Sequence, residues 1–427
     1  MSEKICVTTL GCAKNIVDSE KLISILGNKY TITENPNETD YLIINTCGFI
    51  SSSIKENTDY INSATKLKQI GKIKKIFVVG CLVERFTAEF AQKFPVIDGF
   101  FGVDFLDKLP KALNTDFTQL YGERHLLTPS HYAYLKISDG CEHNCAFCSI
   151  PSFKGGFRSE PLQHLVEETK KLVDKGVKEL ILIAQDTTSY GVDLYGRQAL
   201  NNLLIELDKI DGLRWIRLMY AFPRNFPLEI LDTIRESNKI VKYIDIPIQH
   251  ISTKVLRKMG RGMDKESTIQ LLNTIREKVP GIAIRTTIIV GFPNETENEF
   301  QELVDFVEQF KFDRLGVFEY SMEKGTPAFV FGDPIPAKIK RQRYDKLMLT
   351  QQKISKQKNK QFKGKTIQVI VDEISDSGAI CRTQFDAPEI DNLVHLSGNK
   401  VVPGDIIEVK ITHSEEYDLF AKRLKIK

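Results

Sequence analysis

No apolar run in the 427 residues approaches the roughly 18–20 needed to cross a bilayer as a helix. That absence argues against a protein built on helical membrane spans. No export signal is expected either, since Met1-Ser2-Glu3-Lys4 leads straight into the strand-like run Ile5-Cys6-Val7-Thr8. Neither sign of charge is in excess. The formal net charge is +3, too near balance for the whole chain to be a nucleic-acid binder. Cysteine is scarce, with eight in all. In a large chain without an export signal these thiols are expected to stay reduced and to hold metal rather than form disulfides. A cytoplasmic protein with no membrane partner is the expectation. The hydrophobic fraction of 42% and charged fraction of 27% are those of a globular chain, and the length implies two to four domains.

Three cysteines, Cys141, Cys145 and Cys148, are spaced CxxxCxxC inside Ser138-Asp139-Gly140-Cys141-Glu142-His143-Asn144-Cys145-Ala146-Phe147-Cys148. Three thiolates hold three irons of a four-iron cluster and leave the fourth open, whereas a cluster built for electron transfer alone normally has all four held by protein. An open iron is a place for a substrate. Zinc with His143 as fourth ligand is a weaker reading, because structural zinc sites usually show paired CxxC units. A disulfide knot is weaker still.

Residues 1–125 alternate strand and helix patterns. Ile5–Thr9, Tyr41–Asn45 and Lys75–Val79 suit buried parallel strands, with helical patterns near Asn15–Leu26, Phe49–Leu67 and Glu84–Lys93. They predict an open α/β sheet. Cys12, Cys47 and Cys81 each follow one of these strands beside a glycine. Strand ends on one edge of a parallel sheet lie close together, where such folds bind ligands. Any one of them alone would read as a small buried hydrophobe; three at equivalent ends favour metal. Cys6 and Cys381 read as core.

Residues 126–335 repeat a strand-then-helix unit six times, with strands at Ala133–Ile137, Glu179–Ala184, Trp215–Tyr220, Tyr243–Ile246, Ala283–Val290 and Arg314–Glu319. Six units predict a barrel or partial barrel whose site lies at the strand carboxyl ends. Arg214, Arg217, Arg224, Arg257 and Arg261 are candidates for an acidic ligand, though most arginines are solvated or structural. Polar residues at strand ends also cap helices.

Residues 336–361 read as a basic helix with nine Lys and Arg (Lys338 to Lys360), one acid, Asp345, and an apolar face of Leu347, Leu349 and Ile354. A solvated connector is the favoured reading; a surface for ribosomal RNA is the alternative. Residues 362–427 show five short strands, the count for a small antiparallel β-barrel of the OB type. This tail has nine Lys and Arg against eleven Asp and Glu. An RNA-gripping barrel is expected to be basic, so a basic protein suits this one better.

The CxxxCxxC stretch closely resembles the signature of the radical S-adenosylmethionine enzymes. The pieces Thr9-Leu10-Gly11-Cys12-Ala13-Lys14-Asn15, Ile44-Asn45-Thr46-Cys47-Gly48 and Val79-Gly80-Cys81 resemble the amino-terminal domain of their methylthiotransferase subfamily, and the tail resembles its TRAM domain. The resemblance implies a partial (β/α)6 barrel and two 4Fe-4S clusters, one on Cys141, Cys145 and Cys148 and one on Cys12, Cys47 and Cys81. It implies S-adenosyl-L-methionine near Phe147, Arg158, Gln185, Asp186, Thr187, Gln249 and Gly291, with Asn15 and Asn45 behind the cysteines. Lys154 stands where the family more often has arginine. Ser138–Cys141, Ile150–Phe153, Gln185–Thr187 and the acidic Arg382–Asp391 stretch resemble the ribosomal-protein branch. That branch methylthiolates the β-carbon of an aspartate in small ribosomal subunit protein twelve, bound here through the acidic tail. A reducing electron donor is implied. Two alternatives stand beside this: a tRNA adenosine methylthiotransferase of the same mechanism, and a non-catalytic iron–sulfur protein that binds RNA or ribosomes.

Overall fold

The computed structural model describes residues 2–115, 123–398 and 400–424. The end of the first predicted domain, 116–122, lies outside the described residues. Five parallel strands form the first sheet in the order β2-β1-β3-β4-β5: β1 Lys4–Thr9, β2 Thr31–Ile32, β3 Tyr41–Thr46, β4 Lys75–Gly80 and β5 Gly99–Phe101. Helices α1 Ala13–Leu26, α2 Ser51–Gln69, α3 Cys81–Lys93 and α4 Phe105–Ala112 cover it. β3 is buried at all six positions, as a parallel strand covered on both faces should be. The sequence pattern missed the short β2 and β5 and the helix α4.

Six parallel strands form the central sheet: β6 Tyr132–Lys136, β9 Glu179–Ile183, β10 Trp215–Leu218, β11 Ile240–Asp245, β12 Ala283–Val290 and β13 Arg314–Glu319. Their order, β13-β12-β11-β10-β9-β6, runs from one edge to the other without closing, so the barrel is partial. A small hairpin, β7 Ser138–Asp139 with β8 Arg158–Ser159, brackets the CxxxCxxC loop. Between the strands run α5 Ile150–Lys154, α6 Leu162–Asp174, α7 Val192–Tyr195, α8 Leu200–Asp208, α9 Ile230–Glu236, α10 Thr253–Lys258, α11 Lys265–Lys278 and α12 Glu297–Phe310. Reciprocal capping boxes start two of them, Asp264 with Ser267 and Thr296 with Glu299. Leu, Ile and Val from both strand and helix layers fill the outer core.

The basic helix α13, Ala337–Lys360, is not a solvated connector. It lies against β13 and α12 and buries Leu347, Thr350 and Ile354, while Leu349, predicted on the apolar face, is exposed. Two of its cations are buried too. Lys340 Nζ bonds the Tyr320 carbonyl at 3.0 Å and Asp333, and Arg343 pairs with Glu295 at 3.0 Å. Lys338, Arg341, Lys346, Lys353, Lys356 and Lys360 remain exposed.

The tail is a closed barrel, β14-β15-β16-β18-β17, formed by β14 Thr366–Ser375, β15 Gly378–Thr383, β16 Val394–Ser397, β17 Ile406–Ser414 and β18 Leu419–Arg423. It sits under the amino-terminal ends of the central strands. Glu179, wholly buried at the start of β9, accepts from Arg217 at 2.8 Å and from Arg382 of the tail at 2.7 Å. Arg382 also holds Asp372, which bonds His131; Arg314 bonds Asp386 at 2.7 Å; Tyr243 donates to Asp391 at 2.8 Å. Three of the tail's acids therefore face inward. Part of the charge that favoured a basic partner is spent on the barrel floor, while Glu373, Asp376, Glu389, Glu408 and Glu415 are exposed.

The carboxyl ends of β1, β3 and β4 are level, because Thr9 pairs with Asn45 and Asn45 with Val79. Their loops touch. A Cβ on Gly11, which holds φ +135°, would lie 2.8 Å from the Cys47 Cβ, and one on Gly48 would lie 2.8 Å from the Leu82 Cα. The glycines let three strand-end loops pack on one another.

Two outcomes follow for stability. Glu179→Ala leaves Arg217 and Arg382 buried without their carboxylate and is expected to cost roughly 3–5 kcal/mol. The single tryptophan, Trp215, reports it, since its indole nitrogen lies 3.4 Å from Gln368 Oε1 of the tail. A urea midpoint by fluorescence that stays at the wild-type value would refute the assignment. Gly48→Ala should cost roughly 1–3 kcal/mol by overpacking against backbone, read as a lowered thermal midpoint.

Candidate active site at the strand carboxyl ends

Cys12 caps α1, Cys47 follows β3 and Cys81 opens α3, all on one edge of the first sheet. Two buried asparagines tie the edge together. Asn15 Nδ2 donates to Asn45 Oδ1 at 3.1 Å and to the Thr46 carbonyl at 3.0 Å; Asn45 Nδ2 donates to Ser19 Oγ at 2.9 Å. The Cys12 thiol donates to Asn15 Oδ1 at 3.4 Å, and the Cys47 N–H to Asn57 Oδ1 at 3.0 Å. Burial raises the Cys47 thiol and pushes Cys81 up to about 12. Burial therefore keeps these thiols protonated in the absence of a metal.

The second triad sits on the loop after β6. Its backbone is fastened on both sides: Ala146 N–H donates to the Met259 carbonyl at 2.8 Å, and Ala328 N–H to the Ala146 carbonyl at 2.7 Å. Burial pushes Cys141 up to about 11 and Cys148 to about 12. Arg261, buried, places Nη1 3.3 Å from Cys145 Sγ and bonds the Pro247 carbonyl at 2.6 Å. Phe222 lies between Arg261, 4.1 Å from its ring centre, and His143, stacked at 3.6 Å. His143 Nε2 bonds Asp186 at 2.7 Å, which fixes the ring beside the thiol loop. Phe147 packs with Ala146, Met259 and Phe292. Among the described residues no three His, Cys, Asp or Glu side chains are arranged to hold a metal ion; a four-iron cluster spreads its thiolates over separate irons and asks for a wider triad.

Around this loop the strand-end residues divide. Gln185 donates to Asp139 at 2.7 Å, and its Oε1 is buried without a partner. Gln249 holds φ +70°, and its Oε1 is likewise buried and unpaired. Two orphaned acceptors beside a thiol loop suit a ligand with an ammonium group, and in this the residues present fit S-adenosylmethionine. Asp186 is satisfied by the protein: burial raises its pKa, but bonds from His143, Ser189 and Thr188 outweigh that and lower it. Thr187 is turned to β10, donating to the Met219 carbonyl at 2.8 Å. The Gly291 N–H goes to Glu295 at 2.6 Å and its Cα is covered by Lys340. Arg158 is exposed on β8, whereas Lys154 is buried and bonds Asp139 at 2.8 Å. Of the five candidate arginines, Arg214, Arg224 and Arg257 are exposed, Arg217 holds Glu179, and Arg261 reaches the thiol loop.

The loops that carry the two sets of cysteines touch. Ser149 Oγ lies 3.4 Å from the Phe49 carbonyl, Ser51 donates to Glu323 at 2.8 Å, and Arg85 to the Lys324 carbonyl at 3.0 Å. A chain of charge joins α1 to the second loop: Asp18 to Lys136, Lys136 to Asp139 at 3.5 Å, Asp139 to Lys154 at 2.8 Å. Burial would raise Asp139, but the two lysines hold its carboxyl well below the usual range. Lys14, Tyr220, Phe222 and Lys136 were not singled out from sequence. Lys136 lies inside a strand pattern, and the two aromatics follow β10 in an apolar stretch with no polar signal.

The chain matches the Radical SAM superfamily over residues 135–307, the Uncharacterized protein family UPF0004 over 4–102 and the TRAM domain over 364–424. A solved structure of the radical S-adenosylmethionine methyltransferase TsrM from Kitasatospora setae is similar in fold, with TM-score 0.56 at 14% identity, covering 77% of each chain. The cobalamin-dependent S-adenosylmethionine radical enzyme OxsB is similar too, with TM-score 0.52 at 13% identity over 81% of this chain and 56% of that one. The radical enzyme class implies a 4Fe-4S cluster and S-adenosylmethionine. Closer relatives carry the name ribosomal protein uS12 methylthiotransferase RimO. That of Prosthecochloris aestuarii is 45% identical over 98% of both chains. That of Clostridioides difficile is 44% identical over 97% of this chain and 98% of its own, and that of Chlorobaculum tepidum 43% over 98% and 97%. Identity at this level, end to end and through all three domains, makes this chain a member of the RimO methylthiotransferase family.

Proposed function

We propose that the protein adds a methylthio group to the β-carbon of an aspartate in small ribosomal subunit protein twelve. The observation that carries the reading is that the loops bearing the two cysteine sets touch across the domain boundary. In this reading Cys141, Cys145 and Cys148 hold the cluster that takes S-adenosylmethionine, and Cys12, Cys47 and Cys81 hold a second cluster as the platform for sulfur. Bound there, these groups supply a carbon radical for hydrogen-atom removal and a methylated sulfur for transfer, chemistry that no side-chain base can perform on an unactivated C–H.

The chain's own residues bind and orient. Gln185 and Gln249 offer their unpaired oxygens to the methionyl ammonium. Phe147 belongs beside the adenine. Arg261 puts a fixed cation against Cys145 and Phe222. Asp186 fixes His143, and through it the thiol loop. Arg158, exposed, and Gly291, whose N–H is already bonded, are left with no more than peripheral contact.

The exposed Glu373, Asp376 and Glu408 of the tail favour a basic ribosomal protein as partner, and the exposed lysines of α13 favour a contact with ribosomal RNA. No helix among the described residues is long and apolar enough to cross a membrane, and a cytoplasmic setting with a reducing electron donor fits the need for open clusters.

Mass spectrometry of the ribosomal protein and of digested tRNA, from cells with and without the gene, tests the substrate. Loss of one methylthio group from the protein alone is expected; loss from tRNA alone would overturn the target. Cys12→Ala, Cys47→Ala and Cys81→Ala should each abolish sulfur transfer while 5′-deoxyadenosine is still released under reduction. Methylthiolation that survived all three changes would refute the second cluster.

A further inference from the structure

We propose that Lys14 reads the target side chain: its ammonium, set over the Tyr220 ring beside Cys12 and Cys81, binds the carboxylate of the aspartate to be modified. This rests on the reading just given and deepens it.

Lys14 stands two residues after Cys12 in the first turn of α1 and crosses the domain boundary. Its Nζ lies 3.3 Å from the Ala184 carbonyl at the end of β9 and 4.1 Å from the Tyr220 ring centre. It is within electrostatic reach of Cys12, Cys81 and Asp139. The other cations on this face already have partners. Lys136 pairs with Asp18 and Asp139, Lys154 with Asp139, Arg85 with Glu323 at 3.9 Å, and Arg261 bonds Pro247. The close partners of Lys14 are a carbonyl oxygen and an aromatic face, and among the described residues no carboxylate forms an ion pair with it. A half-buried ammonium with neutral partners is set to receive an anion.

The floor beneath it is held under strain. Tyr220 has φ +57°, a conformation that is rare for an aromatic residue. It persists because the Tyr220 N–H donates to Asp245 at 3.1 Å and its carbonyl accepts from Thr187 N–H at 3.1 Å. Strain maintained by surrounding bonds collects at functional sites.

The chemistry of the substrate gives the cation its use. In aspartate the β-carbon is bonded directly to the carboxyl carbon. Fixing the carboxylate therefore fixes the hydrogen to be removed, one bond away. Asparagine has the same shape but no charge, so it would lose the charge-assisted bond.

The test uses the full-length protein with both clusters reconstituted anaerobically. The probes are the ribosomal protein with its target aspartate and the same protein with that aspartate changed to asparagine, the second scored as a competitive inhibitor. Wild type should bind the aspartate form more tightly. Lys14→Met should raise KM for it roughly 10- to 100-fold, the worth of one hydrogen bond to a charged group, and bring the two forms toward equal affinity. Lys14→Arg should keep most of the preference. The iron content should match wild type. An unchanged KM and an unchanged preference in Lys14→Met overturn the proposal. So does a loss of turnover with KM unmoved and a shifted cluster potential, which would make Lys14 a neighbour of the cluster alone. A wild-type enzyme that leaves the ribosomal protein unmodified overturns the underlying reading, and this one with it.

Discussion

Everything at the mouth of the barrel depends on the buried charge that joins α1 to the thiol loop. Asp18, Lys136, Asp139 and Lys154 form one alternating row. α1 begins at Cys12, and the second loop begins two residues after Asp139. The row therefore fixes the distance between two cysteine sets that belong to different domains. A buried ion pair is weak evidence for stability, because desolvation offsets attraction. Its value here is register. A carboxylate between two lysines has one low-energy position, whereas an apolar contact of the same area would tolerate sliding.

The same device recurs on both sides of the barrel. Glu20, Arg124 and Glu168 tie α1 to the entry of β6 and to α6. Glu179, Arg217 and Arg382 tie the tail to the floor. The partial barrel lacks the closure that would make it rigid alone, since its sheet runs from β13 to β6 with an open gap. Charged seams to the two flanking domains take the place of the missing strands.

Much of this was legible in the sequence. The six central strands came from apolar runs bounded by turn residues, and Ala283–Val290 and Arg314–Glu319 match the structure at both ends. The placement of Cys12, Cys47 and Cys81 on one sheet edge was legible because each follows a parallel strand. What stayed hidden was side-chain direction. Asp372, Asp386 and Asp391 look alike in composition whether they face water or an arginine, and they face arginines or a tyrosine. Lys340 and Arg343 belong to a basic run that reads as solvated, yet both are buried. Arg158 and Lys154 illustrate the limit of a motif: the inner place goes to the lysine, because α5 turns it toward Asp139.

The inward-facing acids of the tail bear on how modular this architecture is. The small barrel has its own apolar core and would look exchangeable between relatives. Its Arg382, Asp386 and Asp391, however, are matched to Glu179, Arg314 and Tyr243 on the central strands. A graft that carried over the tail alone would strand charges of both signs at a buried junction. A chimera that keeps this junction paired has to move the floor of the barrel together with the domain beneath it, so the exchangeable unit is larger than the tail.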